Sequence, residues 1–468
     1  MLLINSNVYN NIYDQEDNYK TSVLSVYTKY LLCLIMPLNM DFHECNCKNV
    51  TITEGIFGET WVDNNDQIFT DPIPKTVKSY TMVNTNRMEI IVITWGATIV
   101  SLKCPDKYGY STDIVLGFDD IKGYSNPITN PFIGCILGRC ANRIKNGHVT
   151  IRGKDYELTK NDFNRKHHLH GGTNGFGRKV WDSYITGCSV VMSYLSQDGE
   201  EGYPGAVLTT IKFKLTPDNK FNICMRATTS KPTIVNLSHG SMFNLAGHDT
   251  GESELRKHKV QLNCDRWTFA DYTDPIPTGA IRGVGGTVMD FRIPQILGEC
   301  IEKVPPGEGY DHNLCITKNG QSGSSFVAKI WHVKSGRALE IYSDQCGIQF
   351  YTGGRLPPQM VPEFLSNYDL LANIEEKGEH DEYKSDDENE EMKVQKHYKK
   401  ILNVPKKLEF ILGKHGAHYK KYCAFSIQPQ NYPNAIHYSH FPCSILYPGQ
   451  VYYHDLTYKF EVQLANYM

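Results

Sequence analysis

Alternation of apolar and polar residues is the feature that most limits what this chain can become. Ile211, Phe213 and Leu215 alternate with Thr210, Lys212 and Lys214, and Val260, Leu262 and Cys264 repeat the rhythm. Successive side chains on a strand point to opposite faces, so this period of two describes strands with one buried face. Met88–Trp95 and Ala97–Cys104 are β-branched and apolar, and the second runs into the turn Pro105-Asp-Lys-Tyr-Gly109. His148–Arg152 followed by Gly153-Lys154 and Asp155–Leu158 predicts a hairpin with a two-residue turn begun by Gly153. No long stripe of helical period accompanies these runs; a weak one lies near Glu391–Leu402. The fold expected is all-β, a large antiparallel sandwich or barrel.

With 468 residues, 40% of them apolar, the chain can bury a large core. A formal charge of −3 points to no nucleic-acid and no anionic-membrane partner. Glu375–Glu391 holds ten acidic residues and two lysines, a local −8, leaving about +5 for the remainder. Such a block is normally solvated, so residues 366–407 are expected as a disordered charged insertion. Residues 1–55 are expected as a poorly ordered extension and 56–468 as the β domain. Val23–Met36 is apolar but broken by Tyr27-Thr-Lys-Tyr30, and is too short to span a membrane. Fourteen cysteines stand singly, apart from Cys45-Asn-Cys47, with no metal-ligand spacing. A reduced, cytoplasmic protein is the expectation.

Polar residues gather at predicted strand ends in six places. Gly138-Arg-Cys-Ala-Asn142-Arg143 offers a fixed guanidinium for a ligand oxygen, or a plain surface arginine pair. His167-His-Leu-His170-Gly-Gly is a tight loop able to present one imidazole. Its three histidines at i, i+1 and i+3 suit a metal poorly. Within Gly309-Tyr-Asp-His-Asn313, Asp311 and His312 could hydrogen-bond sugar hydroxyls or cap a turn, and Gln349 sits among apolar neighbours in Gly347–Gly353. The last two are Thr233–Leu245, read as a strand entering a corner, and Phe425–Pro433.

Taken in order, these stretches resemble the aldose 1-epimerases, also called galactose mutarotases. The resemblance runs from about Phe57 to Val462, omitting the acidic insertion. It rests on Thr94-Trp-Gly-Ala-Thr-Ile-Val-Ser-Leu102, Gly138-Arg-Cys-Ala-Asn-Arg-Ile144, Leu169-His-Gly-Gly172, Asp198-Gly-Glu-Glu-Gly-Tyr-Pro-Gly205, Gly309–Asn313, Ile348–Gly353 and Tyr447–His454. It implies a galactose mutarotase-like supersandwich binding a monosaccharide (galactose or glucose) in a groove, with no cofactor and no metal, and a monomer is expected. It assigns sugar binding to Asn142, Arg143, His170, Asp311 and Gln349. In the family's chemistry a carboxylate takes the C1 hydroxyl proton while an imidazolium protonates the ring oxygen. The ring opens and recloses on the other face.

The two proton-transfer positions depart from that pattern. The family reads Asn-Leu-Thr-Asn-His-Ser-Tyr-Phe-Asn-Leu where this chain reads Asn236-Leu-Ser-His-Gly-Ser-Met-Phe-Asn-Leu245, placing Gly240 at the acid and His239 one residue early. A one-residue shift along a strand turns a side chain to the other face, so His239 serves as acid only if a bulge re-aims it. The base position, Glu in the family, is Gln428 here, and an amide takes no proton at neutral pH. Gly354 also departs, where the family carries Asn after Tyr-Thr-Gly. His239 and Gln428 are therefore the catalytic candidates. Two functions follow: an aldose 1-epimerase with impaired catalysis, or a non-catalytic sugar-binding protein. Restoring Gly240→His with Gln428→Glu is expected to raise the rate if the groove is intact.

Overall fold

In the computed structural model, strands lie where the alternation predicts them. Val207–Leu215 buries every second residue, with Ile211, Phe213 and Leu215 inside. The described residues are 49–61, 74–162, 166–271, 274–318, 320, 322–357 and 408–463, and all belong to one compact unit, Asn46–Met468. The acidic insertion expected at 366–407 lies outside them, as does the extension up to residue 48. Residues from Val50 belong to the sheet, because the strand Val50–Trp61 pairs with Pro74–Asn84 from end to end, broken only by a bulge at Phe57. The sheet therefore starts ahead of residue 56.

Three sheets carry the architecture. An N-terminal meander joins Val50–Trp61, Pro74–Asn84, Glu89–Ile93, Thr98–Pro105 and Ser111–Asp113 in sequence order. A nine-stranded sheet is centred on Lys220–Thr229, Tyr452–Val462 and Arg337–Ser343. The third, here the groove sheet, orders Pro277–Gly283, Cys264–Ala270, Asp311–Ile316, Gly347–Tyr351 and Ser426–Gln430. Neighbouring strands within all three run antiparallel. The inner faces share one core: Ile90 and Leu102 from the meander, Phe213, Phe221 and Tyr458 from the large sheet, and Leu314, Ile348 and Ile427 from the groove sheet. Emptying one such position, as in Ile211→Ala, costs about 2–5 kcal/mol through lost contacts and the cavity left behind.

The hairpin of His148–Ile151 and Lys154–Glu157 turns through Arg152 and Gly153 rather than Gly153 and Lys154. Both turn residues have positive φ, 53° and 75°, the geometry whose twist matches the flanking strands. Ten described cysteines are free thiols, and Cys188 is disulfide-bonded. No helix among the described residues is long and apolar enough to cross a membrane.

Candidate functional site: a carboxamide-lined groove

The groove sheet turns opposite chemistries to its two faces. Leu314, Ile348, Phe350 and Ile427 point into the core. Their chain neighbours Asp311, Asn313, Gln349, Tyr351, Ser426, Gln428 and Gln430 therefore share the other face. Register brings them together: Asn313 pairs with Gln349 and Gln349 with Gln428, while Asp311 pairs with Tyr351 and Tyr351 with Ser426. The result is a row of three carboxamides across three strands, with Asp311, Tyr351 and Ser426 in the next row.

Hydrogen bonds orient this row. Gln349 Nε2 donates to Asp311 Oδ1 at 2.7 Å, Asn313 Nδ2 to Thr268 Oγ1 at 3.1 Å, and Gln428 Nε2 to Ser426 Oγ at 3.1 Å. Asn313 Oδ1, Gln349 Oε1 and both amide atoms of Gln430 are buried without a partner in the protein. A buried polar atom left unpaired costs about 1–3 kcal/mol, so this face concentrates uncommitted hydrogen-bonding capacity.

A second wall comes from the loop strands Arg143–Ile144 and His168–Leu169, which pair antiparallel. Asn142 and His170 hold each other there. Asn142 N donates to His170 Nδ1 at 3.1 Å, and His170 N donates to Asn142 O at 3.1 Å. Nδ1 is thus the acceptor, leaving the ring proton on Nε2. Both residues adopt positive φ, 64° and 51°, rare for a histidine and tolerated by an asparagine. Gly171 beside them is required by space: a Cβ there would sit 1.7 Å from Gly138 O.

Arg143 joins the two walls. Its Nε donates to Asp162 Oδ2 at 2.5 Å and its Nη1 lies 3.8 Å from Asp311 Oδ2, while its carbonyl accepts Asn434 N beyond the last groove strand. Arg355 approaches the same Asp311 oxygen at 3.8 Å. Burial works against the Asp311 carboxylate, but Arg143, Arg355 and the Gln349 amide hold it below its usual range. Burial likewise opposes charge on Arg143, and Asp162 and Asp311 outweigh it. Burial first, then the Arg143 charge, pushes His170 down to about 3, so its imidazole is neutral and donates from Nε2. Burial and the Asp311 carboxylate push the Tyr351 hydroxyl up, away from use as a base.

The five residues expected to bind sugar therefore lie on these two walls, and Gln428 joins them. His239 does not. It pairs with Ile136, a core residue, and its ring neighbours His454 of the large sheet. It is fully buried, with Nδ1 accepting Ser241 N at 3.3 Å and Nε2 without a partner. Burial, then His454, pushes it down to about 3. The shift of one residue has turned it to the core face, and Gly240 does not re-aim it. At Gly240 itself a Cβ would sit 2.4 Å from Phe132 O, so the backbone of Phe132 occupies the room a side chain needs. Phe132 is held there at φ 64°, its ring 5.2 Å from that of His170 and beneath the Arg178 guanidinium. Gly354 is also dictated by space, since its Cβ would meet Glu308 O at 1.6 Å.

Other candidates resolve as structural. Arg139 is buried and spends its guanidinium on Pro204 O, Gly205 O, Gln197 O and Ser196 Oγ. His168 bridges Thr159 O and the Tyr203 hydroxyl, and His167 turns to Asp274. His312 packs against Trp267 on the other side of its strand. Asn313, Tyr351, Ser426 and Gln430 escaped the sequence reading, although counting by twos from Asp311, Gln349 and Gln428 reaches each one.

Known proteins share the sequence and the fold that build this site. The aldose 1-epimerase family model matches residues 78–459. Bovine galactose mutarotase is 32% identical over 413 residues, covering 88% of this chain and 99% of its own length. The human galactose mutarotase is 32% identical over 387 residues, covering 83% and 95%. Among solved structures, a GalM/aldose epimerase homologue from C. elegans superposes with a TM-score of 0.64 at 28% identity, covering 81% of this chain and 97% of that one. A galactose 1-epimerase from Lactobacillus acidophilus shares the fold, with a TM-score of 0.62 at 18% identity. By the extent of these matches, the chain belongs to the aldose 1-epimerase family.

Proposed function

We propose that this protein binds free hexoses, galactose and glucose, in the carboxamide-lined groove and interconverts their α and β anomers slowly. The observation that carries this reading is the pair Gly240 and Gln428. Asn142, Arg143, His170, Asp311 and Gln349 remain to hold hydroxyls, while the described groove holds no group poised to trade protons near neutral pH. Asp311 is ionised and flanked by two arginines, His170 is neutral, and Gln428 carries an amide. A placed acid and a placed base each contribute typically 10²–10⁴-fold, and losing one of a pair that acts together forfeits most of the benefit. The role that fits is a sugar-binding or sensing one. The relatives named as galactose mutarotases support a monosaccharide ligand. A cytoplasmic, monomeric protein is part of the proposal; the ten free thiols favour a reducing compartment, and the disulfide at Cys188 counts against it.

Polarimetry of freshly dissolved α-galactose and α-glucose tests the reading, beside calorimetric titration of each sugar. Binding with a rate close to that of buffer is expected. A rate far above buffer would overturn the slow-catalysis proposal, and failure to bind either sugar would overturn the ligand.

A further inference from the structure

Beyond the groove lies a cavity of about 250 Å³ between the turn Asp344–Cys346 and the segment 431–446. It sits at the end of the two outer groove strands: Cys346 precedes Gly347, Asn431 follows Gln430, and Gly347 pairs with Gln430. Two thiols line it, those of Cys346 and Cys443. Cys443 is the exposed free thiol among the described cysteines, and Cys346 is half-buried further in. One carboxamide links them. Cys346 Sγ donates to Asn431 Oδ1 at 3.3 Å, and Asn431 Nδ2 donates to Cys443 O at 3.4 Å. Ile445 N donates to Cys443 Sγ at 3.4 Å, a contact a sulfur anion would accept. Ser444 Oγ, in the same lining, is buried and has no hydrogen-bond partner.

We propose that Cys443 and Cys346 form a peroxide-sensitive thiol pair whose disulfide closes across this cavity. The Cys443 thiolate attacks one oxygen of hydrogen peroxide, forming a sulfenic acid, and the departing hydroxide leaves as water once protonated. The Ser444 hydroxyl is the uncommitted donor beside that step. Cys346 sulfur then attacks the Cys443 sulfur, the S–S bond forms, and the sulfenic oxygen leaves as a second water. Two thiols and one peroxide thus give one disulfide and two waters. Burial pushes the Cys346 thiol up to about 11, so the closing step quickens as pH rises. Once the Cys346 sulfur is in a disulfide it has no proton to donate, so the Cys346–Asn431 contact breaks. The Asn431 carboxamide also receives Tyr432 N at 2.7 Å, and the Tyr432 ring packs on Gly347 beside Asn313. Closure therefore disturbs the end of the groove and weakens hexose binding, a consequence that rests on the function proposed above.

The test treats the full chain with hydrogen peroxide and maps peptides without reduction. A Cys346–Cys443 linked peptide is expected, reversed by dithiothreitol and absent from folded Cys346→Ser and Cys443→Ser variants. Cys443 driven to sulfinic or sulfonic acid, or linked to any other cysteine or to a second molecule, overturns the pairing. Titration with galactose before and after oxidation reads the second half, where a severalfold rise in Kd is expected and an unchanged Kd overturns the coupling. If the reduced protein binds no hexose while the linked peptide forms, the ligand assignment fails and the thiol pair stands.

Discussion

Gln349 and Gln428 stand directly opposite each other on adjacent groove strands, one amide bound to Asp311 and the other to Ser426. The Ser426 hydroxyl gives its own proton to Ser241 O at 2.7 Å, so it accepts from Gln428 and has nothing left to donate. A glutamate at 428 would place a buried carboxylate against an acceptor. Gln428→Glu is therefore expected to lower stability by about 1–3 kcal/mol at neutral pH. The loss should shrink in acid, where the carboxyl takes up its proton. Urea unfolding at two pH values measures it, and polarimetry of the same variant should show no gain in rate.

Gly240→His meets the Phe132 carbonyl 2.4 Å from its Cβ. Overpacking of this kind costs about 1–3 kcal/mol, and the expected outcome is a lower Tm with no rescue. The double change Gly240→His with Gln428→Glu is blocked for the same reason. Adding Phe132→Gly keeps that carbonyl but removes the ring that anchors it and widens the conformations open to its backbone, so the carbonyl can shift away. The triple variant is the one expected to mutarotate faster than the parent, and a rate equal to that of the double variant would show that room at Gly240 is not the obstacle.

Asp162 matters through Arg143, whose guanidinium is buried and whose Nε it receives. Stripping one partner from a buried ion pair costs about 3–5 kcal/mol. Asp162→Ala should destabilise by that order in chemical denaturation. It should also raise the galactose Kd roughly tenfold, about 1.4 kcal/mol, as the arginine loses its aim.

Acid should unfold this protein early. Burial is the leading cause that pushes His170, His239 and His258 each down to about 3 in the fold, whereas in the unfolded chain they titrate near 6.5. A depressed folded value means the unfolded state binds the proton first. The contribution of these residues is full above about pH 6.5 and is lost progressively as pH falls toward 3. His239→Leu should remove one proton from that slope and leave galactose affinity unchanged, which denaturation across pH and calorimetry would check. A weakened affinity would return His239 to the groove.

Period-two alternation was enough to read the fold class, because a half-buried strand writes its burial directly into its sequence. The face that carries Asp311, Gln349 and Gln428 was legible for the same reason, yet Asn313 and Gln430 passed unnoticed because a polar side chain on a strand looks like an ordinary solvated surface. His239 shows strand phase working in the other direction: the one-residue offset visible in the sequence became a buried core histidine. What the sequence did not carry is the contact between Gly240 and Phe132. That contact joins positions far apart in the chain, and only the loop preceding Gly134 reveals that the glycine is there for room.

The neutral amide at Gln428 has a kinetic consequence. If the groove grips one anomer and exchanges it as slowly as proposed, it can draw only on the anomer already present. Offered an equilibrium mixture, such a protein should fill in two phases, a prompt one and a slow one paced by the sugar's own interconversion in water.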